Sequence, residues 1–175
     1  MFFILLIVSL LLTYFIVAYL FLLQLEKKIN DTQHLLFEYS DKRFSMFENL
    51  LNKSLIFLQY DQTFLKEIVQ LRSQAKKFKQ DGDLRAAFFC EEKISQLAIK
   101  INVLFTEFPI LNRIEEAEII QNDILSIEKS MLDLKNNYNK SISDYIEIKN
   151  TLLFRPIMAM SDRFNDNTEM WKTTI

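Results

Sequence analysis

The sequence predicts an all-α fold: an N-terminal transmembrane helix continuing into an antiparallel four-helix bundle with long first and last helices. Three observations carry that expectation. The chain of 175 residues has one Gly and two Pro, so it holds few of the residues that punctuate turns and loops. No charged side chain occurs from Phe2 to Leu23. Downstream, apolar residues recur in alternating steps of three and four, the period of a helix with one buried stripe. The length suits one domain with an appendage. The expected divisions are residues 1–24 as a signal anchor, 25–156 as the bundle and 157–175 as a tail, membrane-proximal or flexible.

The first element follows from length. At about 1.5 Å per residue, Phe2–Leu23 forms a helix of roughly 33 Å, enough to cross a hydrocarbon core of about 30 Å. Tyr19 falls near the expected interface. A cleaved signal peptide fits poorly: no Lys or Arg precedes the apolar run, the run is too long, and no small-x-small site follows it. Lys27 and Lys28 come directly after the span. Positive flanks stay in the cytoplasm, so the N-terminus is expected outside and the remaining residues inside.

The first soluble helix is expected to continue from the span to about Tyr60, with Phe37, Phe44, Phe47, Leu51, Leu55 and Leu58 on one side and Ser40 and Ser54 between them. Lys42 and Arg43 are placed on its solvated or partly covered flank. The alternative is that Arg43 or Asn49 satisfies buried polar groups on the fourth helix, a Tyr or Asp144. A second helix carries Phe64, Ile68, Leu71, Ala75 and Phe78, with Asp61 as a candidate cap and Gly82 as its stop. A third has the seam Ala87, Cys90, Ile94, Leu97, Ile101, Leu104 and Phe108, from an Asp83 cap to Pro109. The fourth seam is the longest: Ala117, Ile120, Ile124, Ile127, Met131, Leu134, Tyr138, Ser141, Tyr145, Ile148 and Leu152. Leu125 and Ile142 widen it, which suits a bundle better than a two-stranded coiled coil. Asn112 and Glu115 form a capping-box-like start, and Pro156 marks its end. Short connections make neighbouring helices antiparallel. The apolar segment "LLFRPIMAM" (152–160) therefore returns toward the membrane, where it and Trp171 either touch the headgroups or strap the bundle's end.

Catalytic chemistry finds little support. His34 is the only histidine and Cys90 the only cysteine. Cys90 lies in an apolar seam, where a thiol behaves as a small hydrophobe, and no Glu-x-x-His pair exists for a di-iron site. One Gly cannot build a phosphate-cradling loop. The pairs Glu91/Glu92 and Glu115/Glu116 are read as acids near helix starts, and "KKFK" (76–79) as cations at a helix end, each favoured by the helix dipole. A net charge of −2 supplies no basic field for nucleic acid. No cofactor, metal or small-molecule substrate is expected.

Four stretches give the chain its likeness to a family. "RFSMFENLL" matches an Arg-aromatic-x-hydrophobic-hydrophobic-Pro-Asn-Leu-hydrophobic run at Arg43, Phe44, Met46, Phe47, Asn49, Leu50 and Leu51. "YDQTFLKEIVQLRSQA" keeps Asp61, Leu65, Ile68 and Arg72 of a helix that usually opens with His-Glu. "FPIL" supplies Phe108, Pro109 and Leu111 of aromatic-Pro-x-Leu. Glu128, Met131, Tyr138, Asn139, Asp144 and Tyr145 fit Glu-x-x-hydrophobic followed by Tyr-Asn and a further Tyr. With these in order over roughly residues 25 to 156, the chain resembles a divergent member of the LemA family, bacterial proteins with an N-terminal anchor and a helical soluble domain. It departs at Glu48, where the family usually has Pro, at Tyr60 in place of His, and at Phe154-Arg155-Pro156 in place of Phe-Pro. Glu48 restores a backbone N–H, so no kink is expected there.

The resemblance implies a short N-terminus outside and a cytoplasmic helical domain, but no reaction, since the family has no agreed biochemical activity. The expected role is a scaffold or adaptor in the bacterial inner membrane, working through protein contacts and open to homo-oligomerisation. The alternatives are a structural or regulatory subunit of a secretion or division complex and, more remotely, a tethered enzyme.

Overall fold

The computed structural model describes residues 1–54, 62–107, 115–151 and 154–160. Five helices occur among them: α1 (Phe2–Ser54), α2 (Gln62–Gln80), α3 (Leu84–Glu107), α4 (Glu115–Asn150) and α5 (Arg155–Met160). No strand occurs among the described residues. The fold is all-helical, as the period-three-and-four pattern requires. The expectations for Leu55, Leu58, Tyr60, Asp61, Phe108, Pro109, Leu111, Asn112, Leu152 and Trp171 lie outside the described residues, as do the side chains of Leu50, Leu51, Ser54, Phe64, Leu65, Ile101, Leu104 and Ala117.

Helix α1 runs unbroken for 53 residues through Glu48. It contains the one stretch among the described residues that is long and apolar enough to cross a membrane, consistent with a membrane anchor. Its apolar side chains from Phe2 to Val8 and from Leu10 to Leu12 are all exposed. The polar Thr13 hydroxyl is satisfied inside the helix, donating to the Ser9 carbonyl at 2.9 Å, the usual way a hydroxyl is accommodated in an apolar helix. Burial begins at Ala18 and Leu22 and continues at Ile29, Leu36, Phe37, Ser40, Arg43 and Phe47. This stripe includes Ile29 and Leu36, which the expected seam omits.

The α2–α3 connection is a helix stop followed by a helix start. Gly82 takes a positive φ of 78°, its amide donates to the Lys79 carbonyl and the Asp83 amide to the Phe78 carbonyl. These paired bonds satisfy carbonyls left open at the end of α2. Asp83 then caps α3, accepting from the Ala86 amide at 3.0 Å, as the sequence suggests. Lys77 and Lys79 occupy the last turn of α2, where cations favour the dipole.

Side-chain contacts give the helix directions. Phe21 of α1 meets Phe154, beyond the end of α4, with ring centroids 6.3 Å apart, and Arg43 of α1 meets Glu128 of α4. Position therefore rises along α1 as it falls along α4. Likewise Lys79 of α2 lies over the Phe37 ring and Arg72 over the Phe44 ring, so α2 also runs against α1. One apolar cluster joins α1, α3, α4 and α5 around Leu36, Phe88, Tyr138 and Ile142; a second joins α1, α2, α3 and α4 around Phe47, Ile68, Ile94 and Ile124. Phe88 stacks on Phe37 at 5.9 Å and presents an edge to Tyr138 at 5.4 Å. Such ring pairs contribute about 0.5–1.5 kcal/mol each beyond the area they bury.

Two details of α4 correct the sequence expectation. Leu125 does not widen the buried stripe but is exposed, whereas Ile142 is fully buried. The helix stops at Asn150, ahead of Pro156, which instead lies in the first turn of α5, where a missing N–H has no helical partner to lose.

A Cβ added at Gly82 meets nothing within 4 Å, so only its backbone conformation resists substitution. Gly82→Ala is expected to lower stability by about 1–2 kcal/mol, the cost of a left-handed L-residue. Denaturant titration of the full chain in detergent, followed by circular dichroism, measures it; an unchanged midpoint would contradict the assignment.

Candidate functional site

The polar feature at the centre of the helical domain is built on Arg43. It stands in the buried stripe of α1, three residues after Ser40 and four before Phe47, and it is 0% exposed. Burying an unpaired charge is prohibitive, so the guanidinium requires partners at fixed positions. Helices α3 and α4 supply them. Nη1 donates to Ser95 Oγ at 2.6 Å and to Glu128 Oε1 at 2.8 Å. Nη2 donates to Glu91 Oε2 at 2.5 Å and to the Glu91 carbonyl oxygen at 3.4 Å. Nε alone is buried with no hydrogen-bond partner.

A second pair extends the cluster. Lys135 of α4 donates to Glu92 of α3 at 2.5 Å, and both side chains are largely buried. Adjacent residues on one helix point about 100° apart, so Glu91 reaches α1 while Glu92 reaches α4. Two cations and three carboxylates thus tie α1, α3 and α4 together.

At the α1–α2 contact the Arg72 guanidinium lies 3.6 Å from the centre of the Phe44 ring, with Nη2 donating to Asp41 Oδ1 at 3.3 Å. Beside it a cleft of about 280 Å³ is lined by Phe37, Asp41, Arg72, Lys76, Lys79 and Glu91. Lys42 and Glu38 form an exposed i,i+4 pair whose contact holds the Glu38 carboxyl below its ordinary pKa. Exposed pairs of this kind add little stability.

Several expectations change here. Arg43 is not on a solvated flank; it is the most enclosed charge among the described residues. Its partners on the fourth helix include Glu128 rather than a Tyr or Asp144, and Asn49 is exposed. Glu91 is not a dipole-favoured acid at a helix start: it lies two turns into α3, buried, and binds Arg43. Glu92 likewise serves Lys135.

Of the family-motif residues, Arg43 and Glu128 are joined directly, and Phe44 and Arg72 form a second contact. Tyr138 and Tyr145 are buried in the core, and Asn139 and Asp144 are partly buried. Sequence reasoning missed Glu91, Ser95, Glu92 and Lys135. A signal existed in the register: Ala87, Glu91, Ile94 and Ala98 step by four, three and four, as do Met131, Lys135, Tyr138 and Ile142.

Each carboxylate of the cluster faces a cation already held by a helix. No group of three His, Cys, Asp or Glu close enough to hold a metal ion occurs among the described residues. His34 is exposed. Cys90 is buried in the seam as expected, and burial, with a smaller contribution from the Glu91 carboxylate, pushes its thiol above the ordinary pKa.

Two outcomes follow. Arg43→Met strands the buried Glu91 carboxylate and is expected to cost about 3–5 kcal/mol, whereas adding Glu91→Met and Glu128→Met recovers most of the loss. Denaturation midpoints of the two variants compare them; equal destabilisation would show that the charges are not coupled. Because the raised pKa reduces the thiolate fraction at neutral pH, Cys90 should react with a disulfide reagent only after denaturant is added. Prompt reaction of the folded protein at pH 8 would contradict its burial.

Comparison with curated proteins and with solved structures finds no match. The LemA family model matches residues 37–173, a range that takes in Arg43 together with its partners Glu91, Ser95 and Glu128. The match covers most of the chain, and the protein belongs to the LemA family.

Proposed function

We propose that this chain is a membrane-anchored scaffold or adaptor without catalysis of its own, its helical domain an antiparallel four-helix bundle that works through contacts with other proteins. The orders of contact along α1, α2 and α4 support the antiparallel arrangement. Lys27 and Lys28, both exposed just after the apolar stretch, support a cytoplasmic bundle and an outside N-terminus in the bacterial inner membrane.

One observation carries the protein-contact reading. Away from the apolar end of α1, large apolar residues remain exposed on α3 and α4: Phe89, Ile99, Val103, Ile119, Leu125 and Leu132. Ile99, Leu125 and Leu132 border a groove of about 370 Å³ whose other walls include Glu128, Lys129 and Lys135. An apolar centre with a charged rim has the composition of a surface that covers itself with protein. The polar interior, by contrast, is occupied in holding helices together.

Photo-crosslinking side chains placed at Ile99 and Leu132 in intact membranes test this reading. Adducts exceeding those from exposed Lys76, and lost in a Leu125→Asp background, are expected. A single stoichiometric partner would identify a subunit of an envelope complex; adducts no more frequent than at Lys76 would remove the basis for a contact surface.

A further inference from the structure

Helix α5 does not cap the far side of the bundle. Ile157 is buried in the apolar cluster that also contains Ala18 and Leu22, and Tyr14, Phe15 and Phe154 pack against that cluster. Phe154 lies against Phe21 at 6.3 Å between ring centroids. All of these α1 residues belong to the uncharged stretch Phe2–Leu23. If a hydrocarbon core of about 30 Å is centred on that stretch, Leu22 stands near its edge and Ala18 about 7 Å within it. Phe21, which meets Phe154, stands about 2 Å within it, so the segment from Phe154 onward begins at that depth.

We propose that residues 154–160 enter the leaflet adjoining the helical domain, where acyl chains cover the sides of α5 that α1 leaves open. The proposal rests on the reading of Phe2–Leu23 as a membrane span. Two independent features of the segment suit it to lipid. Its composition, "FRPIMAM", has one charge, Arg155, which is exposed and stands at the helix start, within a side chain's reach of the headgroups. Two of its backbone donors are also satisfied within the chain, as groups in hydrocarbon must be. The Phe154 amide donates to the Thr151 carbonyl and the Ile157 amide to the Phe154 carbonyl; Pro156 has no donor to lose. The chain then grips the bilayer at two points, the span of α1 and the short helix that follows α4.

Site-directed spin labelling of the full chain in phosphatidylethanolamine/phosphatidylglycerol nanodiscs tests the insertion. In a Cys90→Ala background, labels are placed at Arg155→Cys and Met158→Cys, with Leu11→Cys as the in-span reference and Lys140→Cys as the aqueous one. Collision with oxygen is compared with collision with a water-soluble nickel chelate. At Met158 oxygen is expected to dominate, as at Leu11 and opposite to Lys140, with Arg155 intermediate. If Leu11 reads as lipid while both Met158 and Arg155 read as water, α5 is a strap in solvent and the insertion is overturned, with the anchor intact. If Leu11 itself reads as water, the anchor reading fails and the insertion with it.

Discussion

The buried guanidinium of Arg43 is the constraint around which the helical domain is arranged. A charge with no solvent contact is tolerable only where oxygen atoms meet it in the correct directions. Those oxygens come from Ser95, Glu91 and Glu128, so α3 and α4 must both be present, and in one register, for α1 to be accommodated at all. A buried ion pair adds little net stability compared with well-packed apolar groups. Its effect is on specificity: apolar side chains tolerate a shift by a turn, whereas a shifted Arg43 would be desolvated and unpaired.

The apolar contacts surround this lock without duplicating it. Phe37, Phe88 and Tyr138 form a ring-to-ring path across α1, α3 and α4 on one side. Phe47, Ile68, Ile94 and Ile124 close the other side with α2 included. Hydrophobic burial supplies the driving force on both sides of Arg43, because it is non-directional and scales with area. Direction and register come from the charged atoms between them. Glu92 and Lys135 repeat the device one residue further along α3, so α3 and α4 are matched by charge as well as by packing.

The helices were legible in the sequence because the period of apolar residues is a local property. Ile94, Leu97, Ile124, Met131 and Tyr138 announce their burial within a window of two turns. Asp83 and Gly82 announce the α2–α3 corner by chemistry that acts over a few residues. The lock was not legible in the same way. Arg43 and its acids are 48 and 85 positions apart, and a charge in a helical pattern is ordinarily a solvated one. Only the partner makes burial affordable, and periodicity carries no information about a partner on another helix. The same blindness placed Leu125 in the core, although Lys135 and Ser141 occupy buried positions on α4 while Leu125 faces outward. The likeness to a known family marked Arg43 and Glu128 together, but not their contact.

Register also determines where the chain meets its apolar end. From Arg43 back to Leu22 along α1 is about 32 Å, and from Glu128 to the end of α4 at Asn150 is about 33 Å, each at 1.5 Å per residue. Since α4 runs against α1, the Arg43–Glu128 bond brings the end of α4 level with Leu22, and α5 follows there. A slip of one turn would displace that end by about 5.4 Å. It would carry Phe154 past Phe21 and withdraw Glu128 from Arg43 in the same movement. Contacts near both ends of the long α1–α4 pair therefore depend on one alignment. That alignment is held by a fully buried charge, which no sliding of apolar side chains can replace.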